Sequence, residues 1–316
     1  MIVAFTLFGY AVLAATGGAA LLRRATWPLY APRLAIAAWL ATGLSVLLAV
    51  FAGALSLAVR LHFVGSTLAE LLQICITNLR SAYATPGGAV LTSLGLAIAL
   101  FVSARAAWGI GWALHSSYRH RRRHGALIDL LGRRHPDRDL VVIDHPGAAA
   151  FCLPGRPRRV VVTSSALALL TADELSAVLA HERAHLHGRH HLIVAIAKGL
   201  RRSFPGLPIF VWGDDEISRL VEMAADDSAC RNSSPRSVAN ALMLLAGGRP
   251  PAATLALGGH STELRLRRLM DRRSAPLRSL TSVGLVGGIA IILAAPAILA
   301  LIPAMVAAGM EYCGLT

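Results

Sequence analysis

The stretch Ala177–His191, AVLAHERAHLHGRHH, carries five histidines, one glutamate and one glycine. Within it His181, Glu182 and His185 form H-E-x-x-H. On a helix, residues four apart share a face, so both imidazoles can reach one Zn²⁺ at ~2.0–2.1 Å. Glu182 lies beside them and can take a proton from a water polarised by the metal. Upstream, Thr171 and Glu174 make a capping box, T-x-x-E, that opens a helix through DELSAVLAHERAHL. The apolar LSAVLA preceding the motif predicts a helix packed against a core, where a chance solvated His/Glu face has no place.

Two histidines do not complete a catalytic zinc site, and two residues compete for third ligand. His181 to His191 also fits H-E-x-x-H-x-x-G-x-x-H, the metzincin pattern, in which Gly188 would break the helix and swing His191 onto the metal. The competitor is Glu222, on a later helix read through DDEISRLVEMAADDSACR, with Asp226 one turn on. Asp226 could hold a ligand imidazole by its free N–H. LIVAIAKGL continues after His191 with helical spacing and no turn signal, which predicts no bend at Gly188. Glu222 and Asp226 would otherwise be an unexplained pair of acids beside an apolar seam, and Glu222 is flanked by Val221 and Met223. Glu222 is the stronger reading.

Outward from the motif, the chain is 55% hydrophobic with a mean hydropathy of +0.58, far above a soluble domain. Uncharged apolar runs lie at about 1–22, 34–59, 88–104 and 279–310, each long enough for the ~20 residues of a membrane helix. No basic segment precedes the first run and Arg23-Arg24 follow it, the pattern of a start anchor rather than a signal peptide. The basic residues orient the spans. Arg23, Arg24 and Arg33 follow the first run, and Arg119, Arg121, Arg122 and Arg123 follow the third. Both segments are expected on the cytoplasmic side, with both termini external. Arg105 is expected to snorkel to that face, with Trp108 and Trp112 in the interfacial belt. The expected organisation is a three-helix membrane region at 1–116, a cytoplasmic zinc peptidase domain at 117–278, and a fourth span with a short external tail at 279–316.

The middle segment, 118–278, holds 25 Lys/Arg and 15 Asp/Glu, a net +10. Positive-inside bias and attraction to anionic lipid account for this excess, and no zinc finger, helix-turn-helix or RNP-like pattern accompanies it. The lipid bilayer is therefore the expected partner, and nucleic acid is not. In outline the segment reads α+β: a short helix at 126–134, a strand at DLVVID, and a second strand at RRVVVTSS. The zinc helix and the acidic helix follow, then a helix opened by Ser234-Pro235. Between the second and third runs, STLAELLQICITNLRSAY has amphipathic spacing for the membrane interface. Cys75 and Cys313 fall together on the outer side and could pair, two unpaired thiols being the plainer state. Cys152 and Cys230 fall where disulfides are disfavoured.

H-E-R-A-H followed by E-x-x-x-D, in a domain between a third and a fourth span, resembles the BlaR/MecR family of membrane metallopeptidases. Those are gluzincins related to the HtpX and CAAX-prenyl-protease group. AFCLPGRPRRVVVTSS is similar to the edge strand over which such enzymes lay an extended substrate. GGHSTELRLRRL (258–269) resembles the family segment after the acidic helix. The resemblance implies His181, His185 and Glu222 as zinc ligands, Glu182 as general base, Asp226 as the residue orienting a ligand, and His260 as an oxyanion stabiliser. It further implies a multi-pass membrane zinc endopeptidase in a signal-transduction pathway, cleaving a cytoplasmic substrate such as a transcriptional repressor. An HtpX-like quality-control protease and a zinc-stabilised signalling scaffold are the rival readings. Family receptors carry a large external penicillin-binding domain after the last span, whereas this sequence runs to Thr316, so sensing through such a domain is not expected.

Overall fold

The computed structural model describes residues 2–58, 88–136, 138–155, 157–247, 258–271 and 279–313. Four helices in it are long and apolar enough to cross a membrane: α1 (Ile2–Arg24), α2 (Pro32–Ala58), α3 (Gly88–Leu131) and, within α10 (Ser279–Cys313), Thr281–Leu301. Large apolar side chains on their outer faces, among them Phe5, Leu21, Leu100, Phe101 and Ile291, are exposed in the protein alone. An apolar belt of that extent fits lipid, not water. The amphipathic segment at 66–83 and the Cys75 and Cys313 side chains lie outside the described residues.

The spans pack through small residues and a few hydroxyls. α10 contains Pro296, which has no N–H to give to the Ile292 carbonyl one turn back. That carbonyl instead accepts from the Ser45 hydroxyl at 2.6 Å and the Tyr10 hydroxyl at 3.2 Å, tying α10 to α2 and α1. In lipid a freed backbone group must find such a partner. α1 itself widens to a π-turn over Ala14–Gly18.

The third span differs from expectation. α3 runs 44 residues without a break, so the short helix expected at 126–134 is the far end of the span. Between residues 105 and 131 the chain has no proline, and its Arg, Ala and Leu residues favour helix, so nothing stops propagation. The expected domain boundary at 116/117 falls inside this helix. Gly109 of α3 meets Gly199 of α6 (His190–Ser203) backbone to backbone. A Cβ on Gly109 would stand 1.9 Å from Ser203 Oγ, and one on Gly199 would stand 2.7 Å from the Ile110 Cα.

Beyond α3 a four-stranded sheet forms from β1 (Arg133–Arg134), β2 (Val141–Ile143), β3 (Ala150–Leu153) and β4 (Arg159–Thr163) in the order β1-β2-β4-β3. β2 and β4 run parallel, and β3 is the antiparallel edge strand. After the short α4 (Ser164–Leu169) comes α5 (Ala172–His187), opened by the expected Thr171–Glu174 capping box. Its Leu175, Val178 and Leu179 join Val160, Val162 and Ala241 in one core cluster, which seats the helix between the sheet and α8 (Pro235–Gly247). α7 (Pro208–Ala229) starts six residues earlier than the sequence spacing suggests, with Pro208 pre-setting its first turn. Its Ile217, Leu220, Val221 and Met223 face the spans' core cluster. α9 (Gly258–Met270) crosses α7 near Asp226 and Asp227.

Candidate metal centre

α5 and α7 lie side by side, and each presents two polar residues one turn apart. His181 Nε2 and His185 Nε2 are 3.1 Å apart, and the Glu222 carboxylate oxygens stand 3.5 Å from each. Three donors bound to zinc at ~2.0–2.1 Å in tetrahedral geometry would be about 3.3–3.4 Å apart, so the set has the dimensions of a zinc site. Among the described residues, these three form the group able to hold a metal ion.

His181 Nδ1 donates to Asp226 Oδ1 at 3.0 Å, which turns its Nε2 toward His185 and Glu222. His185 Nδ1 in turn contacts His190 Nδ1 at 2.9 Å. Two ring nitrogens and a carboxylate converge on one point, where a metal ion, or a proton on a ring nitrogen, would be held. The Arg265 guanidinium pairs with both Glu222 and Asp226, and Glu182 lines the same cleft.

Arg265 is the principal residue that the sequence reading did not single out. Its Nε and Nη2 take Asp226 in a two-point clamp at 2.8 and 2.7 Å, and Nη1 reaches Glu222 at 3.1 Å. Asp226 is fully buried, and a buried carboxylate requires such pairing. Burial alone would raise the Glu222 pKa, but His181, Arg265 and His185 hold it well below the usual carboxylate range. Asp226 is likewise held low against burial by Arg265 and His181. Burial works to strip His181 of its proton, yet Asp226 and Glu222 outweigh it and raise that group to about 10. His185, with burial dominant, is pulled down to about 3. The carboxylates thus call for positive charge at the point where the ring nitrogens converge.

The chain does bend at Gly188, contrary to the expectation of an unbroken helix. α5 ends at His187, Arg189 takes φ 48°, and α6 begins at His190. A left-handed arginine gives no signal in the sequence, since glycine or asparagine is the usual occupant. Gly188 is required beside it, because a Cβ there would sit 2.4 Å from His190 Nε2. The bend delivers His190, not His191, to the cluster. His191 is turned elsewhere, and burial together with Arg121, Arg158 and Arg189 pushes it down to about 4. His260 falls in the first turn of α9, and its side chain lies outside the described residues.

The cluster lines a cleft of about 1290 Å³ bounded by Ala150, Phe151 and Cys152 of β3. Glu182 faces the same cleft, packed against Cys152. Burial first, then the neighbouring Glu222 charge, push its pKa up to about 7 against the pull of His181. A carboxylate poised there can both take and return a proton. β3, as an edge strand, has backbone groups available to an added strand, so an extended peptide can lie along it in front of Glu182.

Residues 115–211 match the family description Peptidase family M48. The matched stretch takes in the sheet, α5 and α6 and stops before Glu222. The chain is also similar to the plastoglobule-localized metallopeptidase 48, chloroplastic, of Arabidopsis thaliana, at 30% identity over 145 residues. That alignment covers 41% of this chain and 41% of the relative, so the chain spans well under half the length of that curated relative. No solved structure matches. Together with the apolar helices, these similarities support a membrane-associated metallopeptidase.

Proposed function

We propose that the protein is an integral-membrane zinc endopeptidase of the BlaR/MecR type, cleaving a cytoplasmic protein such as a transcriptional repressor. The observation that carries the reading is the cluster of His181, His185 and Glu222, with donor atoms 3.1–3.5 Å apart, beside Glu182 in a cleft edged by β3. Zinc held there would supply Lewis-acid polarisation of a water and of the scissile carbonyl. β3 holds the substrate extended. Glu182 takes a proton as the water oxygen bonds to the carbonyl carbon, then gives it to the amine as the C–N bond breaks. Asp226 and His190 fix the two imidazoles, Arg265 fixes Glu222 and Asp226, and His260 is the candidate donor to the oxyanion.

Glu182→Gln tests this reading. The amide keeps size and hydrogen-bonding capacity but accepts no proton, so zinc content and fold should be unchanged while proteolysis falls ~10²–10⁴-fold. Cells carrying the variant should keep a cytoplasmic DNA-binding regulator full-length that the wild type clips, as read by comparative proteomics. Accumulation of misassembled membrane proteins with no regulator among the changes would replace the repressor reading with quality control. Identical proteomes, with no peptidase activity in either protein, would leave a zinc-stabilised scaffold.

A further inference from the structure

The turn between α6 and α7, SFPGLPIFVW (203–212), belongs to none of the four apolar helices, yet it packs deep among three of them. The Phe210 ring lies so close to α2 that a Cβ on Gly43 would stand 3.1 Å from it, and Trp39 underlies Gly213 in the same way at 3.4 Å. Gly43 is ten residues past Arg33, the first-turn cation of α2, which is about 15 Å along the axis. On α1, helix α7 meets both the π-turn Ala14–Gly18 and the turn Ala19–Arg24 that ends in the basic pair. On α3 the Ser203 hydroxyl donates to the Arg105 carbonyl at 2.8 Å, where the uncharged run ends. Trp112 is seven residues, about 10 Å, further out.

Two cation–aromatic pairs mark where the hairpin leaves the apolar zone. Arg23 lies over Trp212 at 4.8 Å to the ring centre, and Arg202 lies over Trp112 at 4.0 Å. Arginine on tryptophan is the chemistry of a lipid headgroup layer, with the apolar rings below it and the guanidinium in the polar zone. Between these pairs, Phe204, Pro205, Gly206, Leu207, Pro208, Ile209, Phe210 and Val211 carry no charge. Pro205 and Gly206, at the tip, are exposed in the protein alone. Free backbone at that depth is tolerated where helices end against protein.

We propose that residues 203–212 form a re-entrant hairpin set into the acyl region of the membrane, a fifth inserted element that seats the peptidase cleft on the bilayer surface. The proposal rests on reading α1–α3 as spans. From Gly213, about 9 Å inside the level of Arg33, α7 climbs nine residues, about 14 Å, to Glu222. The Arg33 guanidinium donates to Ser228, six residues beyond Glu222 on α7, at 2.9 Å, so the metal cluster stands level with the basic end of α2. A cleft at that height takes polypeptide lying along the membrane surface or leaving a membrane anchor.

The test uses single cysteines in the full chain with Cys75, Cys152, Cys230 and Cys313 replaced by serine, spin-labelled and reconstituted in phosphatidylcholine/phosphatidylglycerol vesicles. Gly206→Cys, Gly9→Cys and Gly247→Cys each add a side chain where nothing lies within 4 Å, so none disturbs packing. Gly9 reports a span, Gly247 reports the peptidase domain and Gly206 reports the hairpin tip. Relaxation by oxygen against relaxation by a water-soluble nickel complex should group Gly206→Cys with Gly9→Cys, oxygen dominating several-fold. Grouping with Gly247→Cys overturns the proposal while leaving the spans intact. Water exposure at Gly9 as well overturns both the proposal and the reading of α1 as a span.

Discussion

The two ends of α7 obey different rules. At its start Ile209 and Phe210 are buried against α2 by shape alone, and no hydrogen bond or ion pair fixes their side chains. At its far end Glu222, Asp226 and Asp227 are each held atom by atom: Arg265 takes the first two, and Arg268 pairs with Asp227 at 2.7 Å while donating to the Leu29 carbonyl. Apolar packing is non-directional and tolerates a swap of similar volume. A buried carboxylate stripped of its partner does not. One helix thus joins a forgiving anchor to an unforgiving site.

Cutting the charged end at the metal gives the largest contrast. Glu222→Ala should empty the site of zinc and abolish proteolysis, a loss beyond the ~10–100-fold that follows from altering a ligand's hydrogen-bond partner. His191→Ala should keep the zinc of the wild type; metal analysis of both purified variants decides it. If His191→Ala empties the site instead, the third ligand has been assigned to the wrong helix.

Arg265→Ala probes the same end without touching a ligand. It leaves Asp226 buried and unpaired on one side, which should cost about 3–5 kcal/mol of domain stability and lower zinc affinity about 10–100-fold. Chemical denaturation followed by zinc titration measures both, and an unchanged midpoint would show that Asp226 finds its counter-charge elsewhere. The smallest effect belongs to the apolar end. Phe210→Leu should cost under about 1.5 kcal/mol and leave zinc content alone, as read by thermal unfolding in detergent. A loss of zinc in this variant would mean that the two ends are not separable.

Features written in one local stretch of sequence are legible from that stretch alone. The apolar runs of α1, α2, α3 and α10, the Thr171–Glu174 cap, and the four-residue spacings of His181/His185 and Glu222/Asp226 each follow from one periodicity. The structure brings those four site residues into one cluster. What escapes such reading depends on distant pairs or on backbone choices that composition does not encode. Arg265 is one arginine in the basic run LRLRR, and only the buried acids across from it give it a use. His190 and His191 are adjacent and chemically identical; a left-handed Arg189 decides which one meets His185. The length of α3 is hidden because a change from apolar to basic residues reads as a membrane boundary, although the backbone passes through it unbroken.

That unbroken helix has a mechanical consequence. At 1.5 Å per residue, 44 residues make a rod of about 66 Å, twice the ~30 Å of a hydrocarbon core. Gly109, in contact with Gly199, sits near its midpoint and serves as a fulcrum. A tilt of about 5° there swings each tip by about 3 Å, one strand residue's rise. The C-terminal tip carries the sheet, through Gly132 packed on Val141 and the ion pair of Asp129 with Arg159, and so carries β3. The metal-bearing α7 packs on α2 and α5, and also on α6, which itself lies along α3. Tilt is how a helix answers a change in bilayer thickness. A single unbroken element thus links the stretch of chain that lipid tilts to the strand that edges the cleft.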